Sequence, residues 1–201
     1  MGRIEEKKKE KREKIMQAAF ELFTSKGFHD TSILNITMKA GTAKGTFYLY
    51  FKDKEDIRNQ LISEQSSDLF RQAEQALTET DISDFEDKLI FISDYVLTQL
   101  EKDPRLMDFI AKNLGWGVFK SALIHPDAAT NLDFLLVYQK MIDVAPHRFR
   151  NPEVLLFMLV ELIGSTCHSV ILYKEPMGLE EYKPYLYQAI RDLIQGQVIE
   201  E

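Results

Sequence analysis

Apolar residues recur every three or four positions along most of the chain, which is the spacing of one face of a helix. The first clear stripe runs from Ile15 to Phe23 and stops before Gly27. No segment shows the apolar–polar alternation of a half-buried strand, and no internal repeat competes with the helical pattern. The pattern therefore predicts an all-α protein.

Two short helices joined by a glycine turn are predicted after this stripe. The first begins at Thr31 or Ser32, both good N-cap residues, and stops at Gly41, where a glycine C-cap is expected. The second runs from Thr42 to Tyr50. Such a pair forms a helix-turn-helix, whose second helix is short enough to lie in a DNA major groove. A helical hairpin within a protein core would give the same local pattern.

The second helix carries side chains suited to DNA. Lys44 can neutralise a phosphate, Thr46 can hydrogen-bond a base or a phosphate, and Tyr48 carries a hydroxyl on a rigid ring. Gly45 is less favourable than alanine in a helix by about 1 kcal/mol. A reason to keep it is that a Cβ there could prevent close approach to the DNA backbone.

Several motifs between residues 27 and 57 occur in one register. They are Thr31-Ser32-Ile33, Ile36-Thr37, Ala40-Gly41, Gly45-Thr46-Phe47-Tyr48, Tyr50-Phe51 and Lys54-Glu55. In this order they resemble the N-terminal domain of the TetR family of bacterial transcriptional regulators. The match covers about a quarter of the chain. It implies a three-helix DNA-binding domain, residues 1–56, and a C-terminal helical ligand-binding and dimerisation domain, residues 57–201.

The motif chemistry and the resemblance together predict a set of DNA-binding residues. The set is Thr31, Ser32, Thr42, Ala43, Lys44, Gly45, Thr46, Tyr48, Tyr50 and Lys54. Tyr50 has a second interpretation, as a core residue of the small domain. Lys54 lies in the first turn of a helix capped by Asp53, where a cation opposes the helix dipole and a nearby phosphate would offset that cost.

The chain departs from the family pattern at four positions. Thr37 stands for the usual alanine, Thr42 for valine, Ala43 for a common serine and Leu49 for a common histidine. The last two changes remove polar groups from the second helix. The operator sequence of a relative therefore cannot be transferred to this chain.

Charge is distributed unevenly between the two halves. Residues 1–58 contain 13 Lys and Arg against 9 Asp and Glu, a net charge of +4, whereas residues 59–201 contain 12 against 23, a net charge of −11. The basic charge thus accompanies the helix-turn-helix, as phosphate binding requires. The charged run 3–14 has two interpretations: a solvated helical start or disordered tail, or an arm that contacts DNA.

The rest of the chain is predicted to be helical. The expected helices are Lys54–Thr78, one starting at Asp81 or Ser83 and running through Leu100, one from Asp103-Pro104 to the region 115–117, one near 132–144, one from Asn151-Pro152 to Tyr173, and one over 179–198. The family resemblance implies that the last two, about 152–174 and 179–198, form a homodimer interface with their copies.

Chemistry other than DNA binding finds little support in the sequence. The single cysteine, Cys167, excludes an internal disulfide and a cysteine-based metal cluster, and the four histidines have no metal-ligand spacing. No phosphate loop or nucleophile elbow is present, so we expect no catalytic residue, no metal and no cofactor. The charged N-terminus and the short apolar run Val154–Val160 favour a cytoplasmic protein with no membrane partner. Enzyme and helical protein-interaction module remain the alternatives to a regulator.

A polar stripe in the penultimate helix raises the question of a ligand site. Glu161, Ser165 and His168 share one face of that helix. They could face solvent, pair across a dimer interface, or line a cavity. In the third case the cavity would have aromatic and sulfur-bearing walls, and with Glu161 and His168 it would favour a cationic or hydrogen-bond-donating ligand. The wall candidates are Phe109, Trp116, Phe119, Tyr138 and Met141.

The resulting functional hypothesis is a dimeric regulator, expected to be a repressor. A two-fold dimer would bind double-stranded DNA at an inverted repeat with half-sites about 34–36 Å apart or a multiple of that distance. A small-molecule effector in the C-terminal domain would release the DNA by favouring a conformer with the wrong half-site spacing.

Overall fold

The structure, a computed structural model, describes residues 2–111 and 133–199. Its helices in these ranges are α1 (Arg3–Lys26), α2 (Ile33–Lys39), α3 (Lys44–Phe47), α4 (Lys54–Thr78), α5 (Phe85–Lys102), α6 (Pro104–Ala111), α7 (Asp133–Asp143), α8 (Pro152–Tyr173) and α9 (Leu179–Gln195). The all-α prediction is confirmed. The chain divides into two compact units, Met1–Ser63 and Glu64–Glu201.

Three helices begin where their caps predict. Asp53 caps α4 by accepting a hydrogen bond from the backbone N–H of Asp56 at 2.8 Å. Asp103 caps α6 and Asn151 caps α8 in the same way, each followed by a proline at the first helical position. α4 ends at Thr78 and α8 at Tyr173, as predicted.

The start of α5 and the end of α9 differ from the predictions. Asp84, rather than Asp81 or Ser83, caps α5, because its carboxylate accepts the N–H of Glu86 at 2.9 Å. α9 stops at Gln195 instead of continuing to residue 198. There, the N–H of Ile199 donates to the carbonyl of Arg148 at 2.8 Å, so the chain leaves the helix to pair with the segment before α8.

The first unit packs around aliphatic and aromatic side chains from all four of its helices. Its fully buried members are Ile15, Ala19, Ile36, Phe47, Ile57 and Ile62. Phe47, on the short helix α3, lies 5.4 Å ring to ring from Phe51. This contact fixes α3 to the core and leaves its other face toward solvent.

The second unit is built around α8. The buried side chains of this helix are Leu155, Leu156, Leu159, Cys167, Val170 and Ile171, and they pack with α5, α6 and α9. Among the described helices, α8 alone is long and apolar enough to cross a membrane by length and composition. The core helix of a soluble protein can meet the same criteria, and the six buried side chains make α8 the centre of packing in this unit.

Candidate nucleic-acid interface and core cavity

The helix-turn-helix is held by local hydrogen bonds. Ser32 and Asn35 form a reciprocal capping box at the start of α2: the N–H of Asn35 donates to Ser32 Oγ at 3.1 Å, and the N–H of Ser32 donates to Asn35 Oδ1 at 3.0 Å. Gly41 follows α2 with φ of 64°, a left-handed conformation that glycine adopts without a steric penalty. α3 then begins after Ala43.

The second helix is shorter than predicted. Instead of Thr42–Tyr50, α3 covers Lys44–Phe47. Beyond it the N–H of Leu49 bonds the carbonyl of Thr46 at 3.2 Å, three residues back, which tightens the chain into a turn. The burial of Phe47 and Phe51 on either side of this turn draws the chain back toward the core before α4 begins.

Most of the predicted DNA-binding residues are exposed or half-buried. Exposed members are Ser32, Ala43, Lys44, Gly45 and Tyr48, while Thr46 and Tyr50 are half-buried. Lys44 forms no ion pair or hydrogen bond with any described residue, so its charge is available to a phosphate. A Cβ built at Gly45 would meet no atom within 4 Å, so the space outside the helix there is open. We call this set, with Leu49, the recognition surface.

Thr31 does not belong to the recognition surface, which corrects the sequence-based assignment. Its side chain is 1% exposed. Its hydroxyl donates to the carbonyl of Gly27 at 2.8 Å and approaches that of Leu22 at 3.3 Å. The hydroxyl therefore joins the end of α1 to the start of α2 and has no donor left for a phosphate.

Thr42 also turns inward. The residue is half-buried, and its buried hydroxyl oxygen has no hydrogen-bond partner among the described residues. A side chain in this position contributes to packing under the turn between α2 and α3. The structure therefore gives no support to a direct contact between the Thr42 hydroxyl and DNA.

Lys54 has a structural role besides the predicted one. Its ammonium donates to the carbonyl of Phe28 at 2.7 Å and lies 4.3 Å from the centre of the Phe28 ring. The guanidinium of Arg58 lies 4.4 Å from the same ring. These cations hold the loop between α1 and α2 in place. A phosphate contact by Lys54 stays a prediction.

The charged run at the N-terminus is helical from Arg3. Its side chains from Glu5 to Lys11 are exposed, and Lys9 lies 3.8 Å from Glu13, one turn further on. The helical interpretation of this run is confirmed, and contact with DNA stays a prediction.

The second unit contains an apolar cavity of about 110 Å³. Helices α4, α5, α6, α8 and α9 each contribute to its walls. Typical wall residues are Leu69, Leu97, Met107, Leu159, Ile163 and Ile190. In the described lining, the side chains with polar atoms are Ser66, Ser93 and Cys167. We call this space the core cavity.

The three polar side chains of the core cavity differ in their hydrogen bonding. Ser93 Oγ donates to the carbonyl of Leu89 at 2.7 Å, one turn earlier in α5. Burial raises the pKa of the Cys167 thiol to about 11, so it is protonated at neutral pH. Ser66 is 2% exposed, and its hydroxyl has no partner among the described residues.

Where the structure describes them, the aromatic and sulfur-bearing residues predicted to form a ligand site do not line the core cavity. Trp116 and Phe119 lie outside the described residues. Phe109, Tyr138 and Met141 are buried elsewhere in the unit. The hydroxyl of Tyr138 donates to the carbonyl of Pro152 at 2.8 Å, so it is part of the packing between α7 and α8.

The polar stripe of α8 also lies away from the core cavity. Glu161 and Ser165 are exposed. His168 is half-buried, with Nε2 3.7 Å from a carboxylate oxygen of Asp108 on α6. None of the three lines the cavity, which corrects the cavity interpretation for this space.

Sequence reasoning missed Ser66 and Ser93 because nothing in a sequence marks a helical serine that faces a void.

Part of the first unit is similar in sequence to a known family. Residues 15–61 match the sequence model of the tetR family of bacterial regulatory proteins. The fatty acid metabolism regulator protein of Bacillus subtilis is 40% identical over 74 residues, which are 35% of this chain and 38% of that protein. The HTH-type transcriptional regulator YdgC of the same organism is 32% identical over 99 residues, 48% of this chain and 51% of that protein. The chain thus spans about half or less of the length of these curated relatives.

Structural comparison extends over nearly the whole chain. The structure of FadR from Bacillus subtilis in complex with stearoyl-CoA has a TM-score of 0.62 and 20% sequence identity, and the match covers 92% of this chain and 98% of that one. The fatty acid degradation regulator FadR from Bacillus halodurans gives a TM-score of 0.60 at 18% identity, over 89% and 97%. At these identities the likeness shows a shared fold.

Proposed function

We propose that this chain, whose residues 15–61 match the sequence model of the tetR family of bacterial regulatory proteins, is a ligand-responsive transcriptional repressor of that family rather than an enzyme. It would act in the cytoplasm, where it would bind an inverted-repeat operator as a homodimer and leave it when a small molecule enters the second unit. The observation that carries the DNA-binding part is the recognition surface, with its exposed Lys44, Gly45 and Tyr48.

Specific DNA binding is the first test. The full chain should retard the double-stranded DNA upstream of its own gene, in the presence of excess unrelated DNA. Lys44→Ala should weaken binding to all sequences and reduce the slope of log K against log salt concentration by about one unit, because one phosphate contact is lost. Lys102→Ala is the matched control, since it removes an exposed lysine from the second unit. An equal change in both variants would contradict the assignment of Lys44.

The same assay, combined with thermal unfolding, distinguishes the two roles of Lys54 from the single role of Lys44. Lys54→Ala removes the hydrogen bond to Phe28 as well as a positive charge. We expect it to lower both the salt slope and the thermal stability, whereas Lys44→Ala lowers the slope only. A Lys54→Ala protein with an unchanged slope would leave Lys54 with the structural role alone.

Dimerisation is supported by an apolar surface on the last two helices. Val154, Phe157 and Met158 on α8 and Tyr185 on α9 are large apolar side chains that remain exposed. Large apolar groups clustered on a surface mark protein–protein interaction sites. A second copy of the chain, related by a two-fold axis, would cover this surface and supply the second helix-turn-helix.

The effector proposed from the structure is a molecule with an apolar chain. The core cavity offers almost no polar contacts, so it suits hydrocarbon better than the cationic ligand expected from the sequence. The fold is shared with a regulator solved in complex with stearoyl-CoA, which supports an acyl group as the candidate. At about 110 Å³ the core cavity is smaller than one that holds a benzene molecule, so a long acyl chain would bind a conformer in which the helices lie further apart. Binding releases DNA only if the acyl chain prefers that conformer.

Filling the core cavity tests the effector site. Gly164 lines the cavity, and a Cβ built there meets no atom within 4 Å. Gly164→Ala should therefore fold, bind DNA and dimerise. Gly164→Leu extends further into the cavity, and where its Tm equals that of the wild type it should resist release by long-chain acyl-CoA. Release that is as complete as in the wild type would place the effector elsewhere.

A further inference from the structure

Ser66 is the unusual residue of the core cavity. It lies on α4 and is 2% exposed, and it lines the cavity together with Leu69 and Phe70 from the same helix. Its hydroxyl oxygen is buried and accepts or donates no hydrogen bond within the described residues. A buried polar group without a partner is rare in folded proteins and calls for an explanation.

The other polar side chains of the cavity provide the contrast. Ser93 satisfies its hydroxyl with the carbonyl of Leu89, as a serine within a helix ordinarily can. Cys167 Sγ lies 3.9 Å from Thr166 Oγ1, and a thiol is in any case a weak hydrogen-bonding group. Ser66 is thus the cavity position where a hydroxyl donor and acceptor remain available to a guest.

The apolar surroundings of Ser66 allow its hydroxyl to discriminate between ligands. Because the walls near it are aliphatic and aromatic, a hydrogen bond formed there is stronger than in water. A plain hydrocarbon chain would cover Ser66 and leave its hydroxyl unsatisfied. A chain with an oxygen at the right position would satisfy it, and sites with a buried polar group discriminate best against ligands that lack the matching group.

We propose that Ser66 is a specificity-determining residue and that the preferred effector is an oxygenated acyl chain, one that carries a hydroxyl or carbonyl oxygen within its apolar part. The inference rests on the proposed function, in that an acyl effector occupies the core cavity. Ser66 selects among acyl chains by donating to, or accepting from, that oxygen.

Matched pairs of ligands test the proposal on the full chain. Calorimetric titration would compare decanoyl-CoA and hexadecanoyl-CoA with their β-hydroxy, ω-hydroxy and mid-chain keto derivatives. At least one oxygenated chain should bind about threefold to tenfold more tightly than its parent, as one net hydrogen bond predicts. In Ser66→Ala this preference should fall to about one. Ser93→Ala is the matched control and should keep the preference, because the Ser93 hydroxyl already has its partner.

The possible failures are distinguishable. Equal binding of plain and oxygenated chains to the wild type, or a preference that survives in Ser66→Ala, would overturn the role of Ser66 and leave the acyl effector standing. No binding of either series would overturn the proposed effector class and this inference with it. Thermal unfolding without ligand guards against misfolding: Ser66→Ala should have a Tm no lower than that of the wild type, since it removes an unpaired buried hydroxyl.

Discussion

At the scale of single residues, the Thr42 side chain loses stability because it buries a polar group. Within the part of the chain that the structure describes, its buried hydroxyl has no partner, and the family pattern that the chain resembles usually has valine there. Thr42→Val keeps the shape and removes the unsatisfied group, so we expect the free energy of unfolding to rise by about 1 kcal/mol. Urea unfolding followed by circular dichroism measures the change.

Thr37 supplies the control for that measurement. Thr37 is 1% exposed, so it is more deeply buried than Thr42, but its hydroxyl donates to the carbonyl of Leu34 at 3.1 Å. Thr37→Val should therefore give no gain in stability. If both valine variants are destabilised alike, Thr42 has a hydrogen-bond partner in solution.

Cys167 reports on opening of the core cavity, because it is the chain's one cysteine. Its side chain has no exposed surface, and burial raises its pKa to about 11. The folded chain at neutral pH should react with a thiol reagent far more slowly than the urea-unfolded chain, in which the thiol is accessible. An acyl chain bound in the cavity should slow the reaction further. Fast labelling of the folded chain would contradict the burial of Cys167.

At the scale of secondary-structure elements, the sequence predicts a helix start correctly where an N-cap residue determines it. Asp53, Asp103 and Asn151 mark the starts of α4, α6 and α8 in the sequence and in the structure. α3 was predicted too long because its end depends on the burial of Phe51 against Phe47. That contact is tertiary, and helical periodicity does not reveal it.

The recognition surface could be predicted from the sequence, but the core cavity could not. Lys44 and Tyr48 lie on an element whose exposed face follows from the buried Phe47. For α8, by contrast, spacing showed that Glu161 and Ser165 share a face, without showing which way the face points. The cavity exists because five helices leave space between them, and the packing of these helices determines that Ser66 faces it.

A further prediction concerns the exposed faces of α8 and α9, where we propose that the dimer forms. Phe157→Glu places a charge among the exposed apolar side chains of α8, where the proposed partner chain would have to bury it without compensation. We expect the protein to become monomeric and to lose affinity for an inverted repeat. Analytical ultracentrifugation measures the change. Val144→Glu adds the same charge at an exposed apolar residue after α7 and should leave the dimer intact.

Across the second unit, a polar cluster links α5 to α9. Lys183 Nζ lies 2.8 Å from a carboxylate oxygen of Asp94, and the hydroxyl of Tyr187 donates to the same carboxylate. Burial disfavours the Lys183 ammonium, but its hydrogen bonds to Asp94 and Glu180 outweigh that effect and raise its pKa above the usual value. Burial and the bond to Asp94 raise the pKa of Tyr187 in the same direction.

Both shifts predict a loss of stability in alkali. A group with a raised pKa in the folded chain contributes stability that is complete below its unfolded pKa, here 10.0 for tyrosine and 10.5 for lysine, and is lost as the pH rises further. The free energy of unfolding should therefore fall above about pH 10. Tyr187→Phe should make this fall shallower, because the variant has no phenol for the unfolded chain to ionise at that position. Tyr182→Phe removes a phenol from the same helix outside the cluster and should follow the wild type. Parallel curves for the wild type and Tyr187→Phe would show that the Tyr187 phenol ionises equally in both states, and the cluster would then contribute through Lys183 alone.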